Sequence, residues 1–163
     1  MKLFSRASEY AILALMRVVE TNAIEGFSPR AICKATGIPE ALGCKALVEL
    51  SRAHILKGTP GPGGGYRLVR PLEDVTLLDI VLAVDGERSL NECPLSMHCG
   101  GGTADGKSLC CNTCTLTEPL CGLGHMCPLH ELWKKARELV VQHLASTTLQ
   151  DIANKTRKPH AAT

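Results

Sequence analysis

A chain of 163 residues and 17.4 kDa, 45% hydrophobic with a mean hydropathy of +0.07, carries enough apolar material for a real core, which excludes a wholly disordered polypeptide. Its five aromatic residues, Phe4, Tyr10, Phe27, Tyr66 and Trp133, are too few for a platform that stacks single-stranded nucleic acid. The net charge of +2 hides an asymmetry, since residues 1–70 hold ten Lys/Arg against five Asp/Glu and residues 71–163 hold eight against eleven. A basic front half facing a polyanion, joined to an acidic back half, fits that split.

Residues 5–20 read as a first helix, with Ala11, Ala14, Leu15 and Val18 at helical spacing and Ile12, Leu13 and Met16 widening the buried face. Ser28-Pro29 signals a second helix start, a capping hydroxyl followed by proline at the first helical position, and Gly37 ends it after about eight residues. Pro39 opens a third helix to about Ala53 with Leu42, Ala46, Leu47 and Leu50 inward. Helices two and three, joined through Thr36-Gly37-Ile38-Pro39, have the proportions of a helix-turn-helix. Gly43 in mid-helix costs about 1 kcal/mol relative to alanine.

Ile55-Leu56 and Tyr66–Val69 flank the loop Gly58-Thr59-Pro60-Gly61-Pro62-Gly63-Gly64-Gly65, which suits a tight, side-chain-poor hairpin tip. A helix-turn-helix followed by a hairpin is a winged helix. Thr76 caps a fourth helix through Val84, with Gly86 beyond its end. Residues 89–127 show no period, and so long a stretch calls for a functional or metal-based reason. From Pro128 a long helix carries Leu129, Trp133, Ala136, Val140, His143 and Leu144 on one stripe, and Thr148 with Asp151 signals a short helix before a polar tail. The expected fold is therefore mainly α with a small β-hairpin wing. It divides into a winged helix-turn-helix domain at 1–86, a cysteine-rich loop at 87–127, and a dimerisation helix with tail at 128–163.

Nine cysteines are present, seven of them within residues 93–127: Cys93, Cys99, Cys110, Cys111, Cys114, Cys121 and Cys127. The odd count suits neither a fully paired disulfide set nor an exported protein. The apolar run Tyr10–Met16 is too short for a leader or a membrane span. A cytoplasmic protein with reduced thiols is the expectation, its cysteines serving metal or redox chemistry. Cys111-Asn-Thr-Cys114 with Cys121 and Cys127 would make a four-thiolate zinc site. A thiol switch is the other alternative, whereas a thioredoxin-like enzyme would need a βαβ pattern that the sequence lacks. Cys33 fits the core, and Cys44 faces outward toward DNA.

The glycine-rich stretch Gly61–Leu68, set after a helix-turn-helix, together with Met1-Lys2-Leu3, Tyr10-Ala11, Thr76–Ile80 and Cys121–Trp133, resembles the IscR/NsrR-type winged helix-turn-helix regulators, which include CymR and RirA. The likeness covers nearly the whole chain except residues 99–120. As a nucleotide loop the glycines fail, because no Lys-Ser or Lys-Thr follows them. A DNA-binding surface is expected instead. The wing glycines Gly61, Gly63, Gly64 and Gly65 would let backbone approach phosphates, flanked by Lys57, Thr59 and Arg67. The third helix would present Glu40, Ala41, Cys44 and Lys45 to the major groove, and Ser28 with Arg30 would hold a phosphate.

The resemblance implies a homodimeric transcriptional regulator, a repressor of a palindromic operator in double-stranded DNA, with no membrane partner. It implies an iron–sulfur cluster, [4Fe–4S] in preference to [2Fe–2S], on Cys121, Cys127 and the upstream Cys93. Three thiolates are one short of a cubane's four ligands. NsrR-like relatives supply an acidic residue matching Glu9, and IscR-like ones a residue matching His130. The chain departs from the pattern at Pro60, where relatives carry arginine, at Cys44-Lys45, where many carry Glu-Gln, and in the 27 residues between Cys93 and Cys121.

Overall fold

The computed structural model describes residues 5–61, 63–87, 90 and 130–157. The order is α1 (Arg6–Glu20), α2 (Pro29–Thr36), α3 (Glu40–Arg52), β1 (Leu56–Thr59), β2 (Gly65–Leu68), a 3-10 turn (Leu72–Asp74), α4 (Leu77–Asp85), α5 (His130–Ser146) and α6 (Leu149–Arg157). Among the described residues the chain is mainly helical with one two-stranded antiparallel sheet, the winged helix that the spacing predicts. The chain divides into two units, Met1–Gly86 with His143–Thr163, and Glu87–Gln142.

Helix α1 begins where the Ser5 hydroxyl accepts from the Ala7 and Ser8 backbone N–H groups at 3.1 and 3.2 Å, satisfying donors that a helix start leaves open. Ser5 is itself held by Asp85 at the end of α4: its N–H donates to Oδ2 at 3.0 Å and its hydroxyl to Oδ1. Helix α1 buries Ala11, Ala14, Leu15 and Val18 as expected, and Val19 with them. Leu13 departs from the expectation. It is 45% exposed, because a residue two positions from both Ala11 and Leu15 lies more than half a turn away from either.

Helix α2 starts at Pro29, whose fixed φ suits the first helical position. Ser28 takes the extended N-cap conformation, but its side chain makes no capping hydrogen bond, contrary to the expected hydroxyl cap. Gly37, at φ 70°, turns the chain out of α2 in the left-handed region. Helix α3 buries Gly43, Ala46, Leu47 and Leu50. The expectation that Leu42 joins them fails, because it lies a quarter turn off the centre of that face and is 47% exposed. Gly43 has a steric reason: a Cβ there would sit 2.4 Å from Cys33 Sγ and 3.0 Å from Ile38 Cγ2. Cys33, 2% exposed, thus packs against bare backbone, and burial pushes its thiol pKa up.

The hairpin pairs Leu56 with Leu68, Lys57 with Arg67, Gly58 with Tyr66 and Thr59 with Gly65. It is tied to the chain before α2 by a bridge in which Phe27 N donates to Tyr66 O at 2.8 Å and Tyr66 N to Phe27 O at 2.9 Å, the two rings lying 6.2 Å apart. Only glycine fits at the bridge, because a Cβ on Gly65 would lie 2.2 Å from Phe27 O. Helix α4 opens on a capping box in which Thr76 and Asp79 bond reciprocally at 3.1 Å.

Helix α6 opens in the same way with Thr148 and Asp151 at 2.9 and 3.1 Å, and the hydrogen bonds from Thr148 hold the Asp151 carboxyl below its ordinary pKa. Leu77 N donates to Thr147 O and Leu149 N to Val75 O, both at 2.9 Å. These bonds stitch α6 to the start of α4. One core results, in which Leu15, Leu47, Leu50, Ile55, Leu56, Val75, Ile80 and Leu149 are fully buried and Ala153 is 1% exposed. Along α5 only Leu144 of the expected stripe is buried; Trp133, Ala136 and Val140 are half-buried, His143 is exposed, and Leu129 lies outside the described residues.

Gly43→Ala should destabilise the protein despite alanine's higher helix propensity. Overpacking costs typically 1–3 kcal/mol against about 1 kcal/mol gained, so a net loss of about 1 kcal/mol is expected in urea unfolding. Cys33→Ala removes the clashing sulfur, so the double variant should be more stable than the sum of the two single changes allows.

Candidate nucleic-acid interface

The outward stripe of α3 carries Ala41, Lys45, Val48 and Arg52, all exposed, with the half-buried Cys44 beside it. Two cationic heads stand on it beside the small apolar groups of Ala41 and Val48: Lys45, and Arg52, which is paired with Glu49 at 2.8 Å. Glu40, the first residue of α3, is exposed and accepts from Arg30 Nε at 2.7 Å. Arg30 is the second residue of α2, so the pair bridges the starts of the two helices. The hydrogen bond and the charge of Glu40 together raise the Arg30 pKa.

On the wing, Lys57, Thr59, Gly61, Gly63 and Arg67 are exposed, while Gly64 and Gly65 are half-buried. Gly61 and Gly63 take φ of 104° and 82°, and Gly64 N donates to Gly61 O at 2.9 Å to close the tip. The register sets Lys57 directly opposite Arg67. Like charges facing each other across a hairpin repel, a cost relieved when a polyanion lies against both. Beside the wing runs an open cleft of about 560 Å³ lined by Ser28, Thr59, Gly64, Gly65 and Arg67, and by Glu25 as well. The structure thus brings Ser28 to one cleft with Thr59, Gly63, Gly64, Gly65 and Arg67, which Lys57 and Gly61 do not line, and binds Arg30 to Glu40. Residue spacing alone missed this ion pair, because ten positions across a turn match no helical repeat.

The metal candidates stand differently. Cys93, Cys99, Cys110, Cys111, Cys114, Cys121 and Cys127 lie outside the described residues, as does the side chain of His130. Among the described residues no group of three or more His, Cys, Asp and Glu could hold a metal ion. Glu9 is exposed in the first turn of α1, and its carboxylate makes no hydrogen bond or ion pair among the described residues. Clustered cysteines are the donors that iron–sulfur clusters use. No helix among the described residues is long and apolar enough to cross a membrane.

Comparison with known proteins gives this geometry a context. Residues 4–155 match the family model Rrf2, described as an iron-dependent transcriptional regulator. The HTH-type transcriptional regulator IscR of Cereibacter sphaeroides is 29% identical over 157 residues, 95% of this chain and 89% of the relative. The solved structure of CymR, the global cysteine regulator of B. subtilis, shares the fold with a TM-score of 0.65 at 22% identity, covering 95% of this chain and 98% of that one. T. potens IscR does so with a TM-score of 0.66 at 18% identity, covering 100% and 93%. The first of these relatives is named as a transcriptional regulator. With its sequence matched from residue 4 to residue 155, the chain belongs to the Rrf2 family of DNA-binding transcriptional regulators.

Proposed function

We propose that this protein is a cytoplasmic, homodimeric repressor that reads a palindromic operator with α3 and the wing. It senses redox state, nitric oxide or iron and cluster supply through a [4Fe–4S] cluster held by Cys93, Cys121, Cys127 and Glu9. The observation that supports the DNA-binding half is exposed positive charge on both candidate elements: Lys45 on α3, and Lys57 and Arg67 kept face to face on a wing whose glycines clear the way for backbone. Dimer formation is supported by Leu132 and Leu139, two turns apart on α5 and 59% and 58% exposed, which form an apolar row suited to a second copy.

The cluster reading is supported by thiolate chemistry, by the iron dependence in the family's description, and by the exposure of Glu9 in the first turn of α1. When bound, the cluster supplies a redox-active, gas-reactive centre. A carboxylate is a hard ligand among soft thiolates, so Glu9 would be the weakest of the four. The chain's own part is to hold Glu9 on α1, which packs against α3 and α4 in the one core.

Two experiments test the two halves. Lys45→Ala and Arg67→Ala should weaken duplex binding and flatten its salt dependence by about one unit of slope for each phosphate left without its cation. Gly65→Ala should weaken binding with α-helical content retained, since its Cβ would push the wing off Phe27. Unchanged affinity in all three variants would remove the docking surface.

For the cluster, protein prepared without oxygen should be brown and contain iron and sulfide. Cys93→Ser, Cys121→Ser and Cys127→Ser should each lose them, and Glu9→Ala should keep most of the iron with an altered absorption spectrum. A spectrum altered by His130→Ala alone would move the fourth ligand to His130. Colourless protein holding zinc would replace the cluster by a structural metal on the other cysteines, and metal-free protein would leave a thiol switch.

A further inference from the structure

The Arg30–Glu40 pair carries an inference that rests on the DNA-binding reading and sharpens it. A carboxylate on a surface that meets DNA is a repulsive element unless it is compensated and has a donor to accept from. Glu40 is compensated: Arg30 Nε reaches Oε1 at 2.7 Å from the neighbouring helix. Only one oxygen and one N–H are used, so Oε2 and the other guanidinium N–H groups remain available. Both side chains are open to solvent, Arg30 at 83% and Glu40 at 54% exposure. Glu40 is also the first residue of α3, the end of a recognition helix that meets base edges, and Pro39 before it fixes the local backbone at φ −56°.

We propose that Glu40 is a specificity-determining residue whose free oxygen accepts a hydrogen bond from the amino group of a cytosine in the major groove, while Arg30 holds the carboxylate and binds the adjacent phosphate. Cytosine is favoured over adenine by chemistry. Adenine's amino group sits beside the N7 of its own ring, whose lone pair opposes a carboxylate, whereas the neighbour of N4 on the cytosine ring is the C5–H group, which does not. Arg30 acts as a positioning residue through its bond to Glu40.

The test begins with enrichment of duplexes from a randomised pool by the full-length protein prepared without oxygen. Affinities are then measured for the enriched site and each single-base variant of it. Wild type should discriminate against the other three bases at one cytosine per half-site, on the order of 5- to 100-fold. Glu40→Ala should erase that preference and no other. Glu40→Gln should move it toward adenine, whose N6 and N7 suit a carboxamide. Arg30→Ala should lower overall affinity and blunt the same preference.

Either of two results would overturn the inference: an enriched half-site with no cytosine preference, or Glu40 variants that bind every sequence more tightly by one common factor, which would make Glu40 a mere counter-charge. A wild-type protein that enriches no sequence and binds no duplex would instead remove the DNA-binding reading on which the inference rests. Matching circular dichroism spectra establish that each variant is folded.

Discussion

Helices α2 and α3 meet at Gly43, where α3 carries no side chain. Cys33 sulfur occupies the space where a Cβ would stand, 2.4 Å away, so the spacing of the helix pair is set by a steric limit rather than by a charge or a cap. From this contact the rest of the reading face follows. Helix α3 turns Ala46, Leu47 and Leu50 into the core, and its opposite stripe, with Ala41, Lys45 and Val48, is left facing solvent. The starts of the two helices come near enough for Arg30 to bond Glu40. The propensity cost of glycine in a helix is accepted here because packing density gains more than the helix loses.

The wing obeys a second limit of the same kind. A two-stranded hairpin alone is marginal in water, and this one is steadied by a backbone bridge to Phe27 and by Leu68 N donating to Ile24 O at 2.9 Å. Gly65 permits the bridge and Gly64 permits the tip, where a Cβ would meet Thr59 O at 2.1 Å. The wing is therefore fixed to the segment that leads into α2, and Arg67, which faces Lys57 across the hairpin, lines one cleft with Ser28. Stability alone does not call for Lys57 opposite Arg67, whereas a phosphate backbone does.

Much of this was legible in the residues. Capping pairs such as Thr76 with Asp79 and Thr148 with Asp151 announce helix starts through local hydrogen bonds, and a run of glycines announces a hairpin tip through allowed φ values. Contacts between distant segments were not legible. Gly43 reads as a local weakness until Cys33 is seen against it, and Leu13 and Leu42 read as core until the buried faces have directions. Leu149 and Ala153 belong to the same core as α1, a membership no local period can encode. The Arg30–Glu40 bond depends on how the turn between α2 and α3 folds, so the charges were visible but their pairing was not. The cysteine set is the reverse case, because its chemistry stands in the sequence while its arrangement lies outside the described residues.

The tie between Ser5 and Asp85 places these parts in mechanical relation. Asp85 ends α4 immediately before the segment that carries the cysteines, and Ser5 begins α1 one turn before Glu9. The proposed carboxylate ligand and the point where the chain leaves for the proposed thiolates are therefore fastened at one joint by two hydrogen bonds to a single carboxylate. Helix α1 packs directly on α3 and α4, and Leu15, Leu47, Leu50 and Ile80 are fully buried among them. A close-packed interior has little room for independent movement of one helix, so a displacement of α1 has to be taken up by its neighbours, α3 included. Coupling a ligand site to DNA in this fold needs no relay of special residues. It needs two arrangements of α1, each stabilised by a different ligand state, and a core stiff enough that the reading helix follows.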